Sequence, residues 1–154
     1  MNPVMMIGSF LVTALIAGIL GGAAMELAMG LISRGGWAKG DMIVAIGSLV
    51  TKSRDNAFRV GAIIHAICAV GFAAVYTMLM LVLGVTQLPL SMMLGLGVGV
   101  LHGILVSLML VWVVSESHPL PEFNDAGLEV GLSHFIGHVV YGGVVGVVVG
   151  LSPM

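Results

Sequence analysis

The sequence predicts an all-α integral membrane protein: a four-transmembrane-helix bundle with both termini on the non-cytoplasmic side. Three observations predict it. Of 154 residues, 59% are hydrophobic and only 8% charged, with mean hydropathy +1.18. A soluble domain carries about 25% charged residues, so the polar surface needed in water is missing. Four continuous apolar stretches each reach the ~20 residues that cross a bilayer core as a helix, and they lack the alternation of barrel strands. Finally, the basic residues Arg34, Lys39, Lys52, Arg54 and Arg59 all fall between the first two stretches or at the start of the second. Basic loops face the cytoplasm, which sets the orientation. Composition also bounds the partners. A net charge of −2 leaves no basic face for nucleic acid. The single cysteine, Cys68, can close neither an internal disulfide nor a thiolate zinc site.

The first span covers about residues 5–33. It is too long for the apolar core of a signal peptide and lacks a basic segment before it, so it is expected to be retained. In the basic loop, Asp41 can cap a short apolar helix over residues 42–50, which is too short to span and is expected at the interface. The second span covers about 57–84 and the third about 92–115, with Gln87-Leu-Pro89 turning the chain between them. The segment His118-Pro-Leu-Pro-Glu122 is a second stiff turn, since each proline fixes its own φ and biases the residue before it out of the helix. His118 is expected there as a solvated loop residue. The fourth span covers about 127–150. The connection before it is acidic (Glu116, Glu122, Asp125) and faces the basic loop, where ion pairs of about 0–1 kcal/mol each are expected. Trp37 and Trp112 are expected as headgroup anchors. With no linker or low-complexity segment, residues 1–154 read as a single domain.

The 23 glycines are patterned. Gly18, Gly22, Glu26 and Gly30 stand four apart, as do Gly61, His65, Ala69 and Ala73, and again His134, His138, Gly142, Gly146 and Gly150. Gly95, Gly99 and Gly103 form another stripe, with His102 beside it. Small residues at this spacing lie on one helical face and let backbones approach closely in lipid. The stripes therefore mark the inward faces of the bundle, and each carries or adjoins an ionisable group. Counting from the span edges at 1.5 Å per residue puts Glu26, His65 and His134 in one layer about 12 Å from the cytoplasmic boundary, with His102 and His138 a turn deeper. A short internal repeat aligns Glu26 with His102 and His65 with His134. It implies two hairpins related by an axis along the membrane normal.

Ionisable residues at membrane depth are costly and mark function by default. His134 and His138, four apart, suit chelation of a transition metal. Together with Glu26, His65 and His102 they form the candidate metal set, in which His102 and His138 are also the candidate haem ligands. Iron, copper and zinc all suit such donors, and bis-histidine haem is the cofactor variant. The alternative for each is structural: a protonated Glu26 or a neutral histidine bonded to a neighbouring helix. Tyr141, a turn from His138, is expected either to support that ring or to bond a carbonyl, and Tyr76 and Cys68 to pack as core. The 12 methionines are expected as apolar filler, and Met25 and Met29 alone lie near the buried set.

Three functions compete. The first is metal or haem binding with a redox or metal-handling role, as an oligomer or as a subunit of a larger membrane complex. The second is proton or cation translocation through Glu26 and the histidines. The third is a purely structural subunit. An enzyme acting through the metal is compatible with the first, whereas no nucleotide site or Ser-His-Asp set is visible. The expected partner is the lipid bilayer, with a bacterial inner (plasma) membrane as the expected location.

Overall fold

A computed structural model describes residues 2–38, 41–124 and 127–153. Among the described residues every regular element is helical. The elements are α1 (Pro3–Arg34), α2 (Met42–Thr51), α3 (Ala57–Val82), α4 (Leu90–Met109), a π-helical turn (Leu110–Val114), α5 (Ser115–Ser117), a 3-10 turn (Pro121–Phe123) and α6 (Leu128–Leu151). Four stretches are long and apolar enough to cross a membrane: α1, α3, Leu90–Ser117 and α6. The expected spans agree with them to within a few residues. Lys39 and Asp125, singled out by charge, lie outside the described residues.

Local chemistry sets the helix ends. Asn2 Oδ1 accepts from Met5 N at 2.8 Å and Pro3 fills a first-turn position that needs no N–H, so α1 starts there. Asp41 Oδ1 accepts from Val44 N at 3.2 Å and starts α2, as the sequence predicts.

Glycine contacts fix the register of the bundle. On α1, Gly18 meets Ala69 and Val70 of α3, and Gly22 meets Ala69, so the two helices run antiparallel. The same helix meets α6 through Gly21, against Tyr141 and Val145, and through Gly137, against Met25 and Met29. Thr13 Oγ1 reaches Ser152 Oγ at 3.1 Å near the end that carries the start of α1 and the end of α6. Between α4 and α6 the backbones touch. A Cβ on Gly95 would overlap the Gly142 carbonyl, one on Gly99 would meet the His138 carbonyl, and one on Gly103 the Phe135 carbonyl. The helices therefore stand in the order α3, α1, α6, α4, and α3 approaches α4 much less closely than α1 approaches α6. A twofold axis exchanging the two hairpins would make those two contacts equivalent, so the expected repeat symmetry is not present.

The short helix packs closely against α3. A Cβ on Gly47 would overlap the Ala57 carbonyl, and one on Gly61 the Ile43 carbonyl, so α2 lies backbone to backbone against the first turns of α3. Ile43 is level with Gly61, and Gly47 with both Ala57 and Gly61. Thus α2 runs antiparallel to α3, with its N-terminus level with Gly61 and its C-terminus nearer the loop end, the end of the bundle that carries the connection between α1 and α3. His118 completes the arrangement. It is 5% exposed, a correction to its expected place in solvent. Its Nε2–H donates to the Ala45 carbonyl at 3.1 Å, while Nδ1 accepts from Leu120 N at 3.1 Å. A two-residue turn closed on its own ring lets the histidine fold under the chain and tie the second connection to α2. Arg54 and Glu122 supply the expected loop-to-loop ion pair, at 2.6 Å and largely exposed.

Candidate functional site

Register decides which ionisable groups meet. Glu26 lies between Met25 and Met29, which face Gly137, so its backbone is level with Gly137 and His138. It is also level with His65, whose Nδ1 is 3.4 Å from Glu26 Oε1. Gly99 and Gly103 bracket His102 and both contact His138. Glu26, His65, His102 and His138 therefore share one level, with His134 a turn nearer the loop end. The layers expected from the sequence, with His134 beside Glu26 and with His102 and His138 deeper, are regrouped. Depth counted from span edges ignores the stagger that the glycine contacts impose on each helix.

The two histidines of α6 are held alike. His134 is 3% and His138 8% exposed. The Nδ1 of His134 lies 2.8 Å from the Val130 carbonyl, and that of His138 lies 2.7 Å from the His134 carbonyl. A carbonyl can only accept, so both rings carry their proton on Nδ1 and, when neutral, present a lone pair on Nε2. His134 Nε2 is buried without a hydrogen-bond partner among the described residues, and so is Glu26 Oε1, whose contact with His65 is close but poorly aligned. A buried polar atom left unpaired costs about 1–3 kcal/mol. Two such atoms lining one cavity are therefore notable.

That cavity, about 340 Å³, is lined by Glu26, Met29, Ser33, Arg34, Asp41 and His134 among others. A second cavity of about 260 Å³ is mostly apolar, walled by Ile46 and Leu49 of α2 and by Val106 and Leu110 at the end of α4. His134 and Asp41 line both. The sequence singled out Asp41 as a helix cap alone. Its place on the same cavity as Glu26 depends on α2 packing against α3, and the pairing of Gly47 with Gly61 is the sequence signal for that.

On the other side of the level, His102 packs its ring 4.3 Å from Phe72 and 4.5 Å from His138, centroid to centroid. Its Nδ1 is 3.2 Å from the Tyr76 hydroxyl. Tyr76, expected to pack away from the set, is thus a direct partner of it. The spacing of His65, Ala69, Phe72 and Tyr76, at i, i+4, i+7 and i+11, already puts them on one face of α3. The Tyr141 hydroxyl donates to the Ala69 carbonyl at 2.5 Å, the second of its two expected roles, and its ring stands edge-on to Tyr76. Cys68 is exposed rather than packed as core, because it faces away from both α1 and α6.

The five sequence-predicted residues thus gather around His138 as overlapping pairs. Among the described residues, no three His, Cys, Asp or Glu side chains are close enough together to hold a metal ion. No family model, curated protein or solved structure matches the chain.

Proposed function

We propose that the protein is an integral membrane protein that binds a transition metal through Glu26, His65, His102, His134 and His138. The basic loop would face the cytoplasm, in an inner-membrane setting. One observation carries this reading: His134 presents a buried, unpartnered Nε2 while its Nδ1–H is tied to a backbone carbonyl. Metal-ligating histidines are held in this way, because the second hydrogen bond fixes the tautomer and the ring orientation and raises the basicity of the ligating nitrogen. His138 repeats the arrangement one turn on, and Glu26 Oε1 adds a second bare donor on the same cavity. A cation supplies the attraction that draws these desolvated donors together. The close backbone contacts of α4 with α6, and the rings packed around His102, favour a bare ion over a haem.

Elemental mass spectrometry on protein purified without an affinity tag tests the reading. Near-stoichiometric iron, copper or zinc is expected in the wild type, and a small fraction of it in His134→Ala and Glu26→Ala. Unchanged metal content in both variants would overturn it.

The connected string of Glu26, His65, His138, His102 and Tyr76 supports a second reading, in which the cluster moves protons from the polar cavity into the bundle. Metal-free protein that acidifies vesicles under an imposed potential, and loses this in Glu26→Gln, would favour that reading.

A further inference from the structure

The two cavities meet at one wall. Asp41, Met42, Val130 and His134 line both the polar cavity of about 340 Å³ and the apolar one of about 260 Å³. The apolar cavity lies between α2, the far end of α4 and the first turns of α6, and on its α4 side Leu110 and Val114 belong to the π-helical turn. Such turns interrupt α-helices frequently at functional sites. Among the described residues, the apolar cavity is lined by two carboxylates, Asp41 and Glu122, and by no lysine or arginine. Glu122 is paired with Arg54 at 2.6 Å, which leaves Asp41 as the charge at the shared wall. Beyond that wall the polar cavity adds Glu26 and Arg34. His134, 3% exposed, stands in the wall too, and its Nε2 is an acceptor with no partner among the described residues.

We infer that the joined cavities bind a lipophilic ammonium ion: an apolar body of one ring and a short chain, with a protonated amine at its end. The body matches the apolar cavity in size, since a cavity of about 150 Å³ already takes a benzene ring. Charge selects the head. A cation is not buried among apolar side chains without a partner, so the head belongs at the shared wall. Asp41 supplies the opposite charge there, and His134 belongs to the same wall with an acceptor to offer an N–H. A carboxylate head would meet like charge, and a neutral head would gain burial and a hydrogen bond but no charge attraction. In a bilayer the loop end would stand at the headgroups, the depth at which molecules with an apolar body and a polar tip collect. The inference does not rest on metal binding and goes beyond it by giving the bundle an organic ligand.

The test uses the metal-free full chain in nanodiscs of a zwitterionic lipid, with empty nanodiscs as the blank. Equilibrium dialysis compares three probes that share one body: 4-phenylbutylamine, 4-phenylbutanol and 4-phenylbutyrate. Wild type is expected to bind one 4-phenylbutylamine per chain, about tenfold more tightly than the alcohol, with the carboxylate weakest. Asp41→Asn keeps the start of α2, because asparagine caps a helix as well as aspartate does. It is expected to bring the amine down to the affinity of the alcohol. Val106→Phe fills the apolar cavity and is expected to remove binding of amine and alcohol alike. Equal affinity for amine and alcohol in the wild type, an unchanged preference in Asp41→Asn, or no saturable binding above the blank overturns the inference. Because the protein is metal-free in this assay, none of these outcomes bears on the metal reading, which the metal content of His134→Ala and Glu26→Ala decides separately.

Discussion

A single hydrogen bond decides what a buried imidazole can do, and the histidines here fall into two kinds. His134 and His138 spend Nδ1–H on their own helix and keep Nε2 as an acceptor. His118 uses both nitrogens, Nε2–H on the Ala45 carbonyl and Nδ1 on Leu120 N, so it is satisfied and structural. His118→Ala should therefore leave any bound metal in place. It should cost about 1–3 kcal/mol, because the α2 tether loses its bond to the Ala45 carbonyl and Leu120 N loses its acceptor. A lower thermal midpoint with unchanged metal content is the expected result; loss of metal would place His118 in the site. Tyr76→Phe should destabilise by about 0.5–1.5 kcal/mol in the same measurement, because His102 loses its hydroxyl partner. The sequence made the α6 pair legible because both partners lie on one helix, where spacing is geometry. It hid the roles of His118 and Tyr76, whose partners lie on other elements.

Between elements, glycine is a contact surface at some positions and idle at others, and two neighbours on α4 separate the cases. A Cβ on Gly95 would overlap the Gly142 carbonyl, whereas one on Gly97 has nothing within 4 Å. Gly95→Ala should push α4 off α6 and destabilise by about 1–3 kcal/mol, the usual cost of overpacking. Gly97→Ala should be neutral or stabilising by up to about 1 kcal/mol, because alanine is the better helix former. Equal effects of the two substitutions on the unfolding midpoint would mean that the helices do not meet at this stripe. The four-residue spacing made the contact face readable from sequence, and the spans too, since length and hydropathy are local. The order of the helices and their stagger were not readable, because any small-residue stripe can pack against any other. The same gap accounts for the regrouped level, with the backbone of His134 a turn apart from that of Glu26, and for the close packing of α2 against α3.

At the scale of the whole molecule, the two ends of the bundle differ in kind. One end holds the start of α1 and the end of α6, with Thr13 and Ser152 joined at 3.1 Å. The other holds both long connections, joined by the His118–Ala45 bond and the Arg54–Glu122 pair. The described basic residues Arg34, Lys52, Arg54 and Arg59 lie at this second end or at the start of the span leaving it. Charge distribution sets orientation through basic residues near the span ends, while acidic ones contribute little, so Glu116 and Glu122 do not offset the bias. The polar cavity lined by Glu26, Asp41 and Arg34 lies toward the same end, so on the proposed orientation the cytoplasm would be the compartment that supplies the proposed ion. Reporter fusions test this directly. Alkaline phosphatase joined after the last residue should be active and a fluorescent protein there dark, with the reverse for both reporters inserted at Asn124. The opposite pattern would place the cavity on the far side of the membrane. Metal would then reach the site from outside the cell, and the direction of any metal-handling role would be inverted without a change in the ligands.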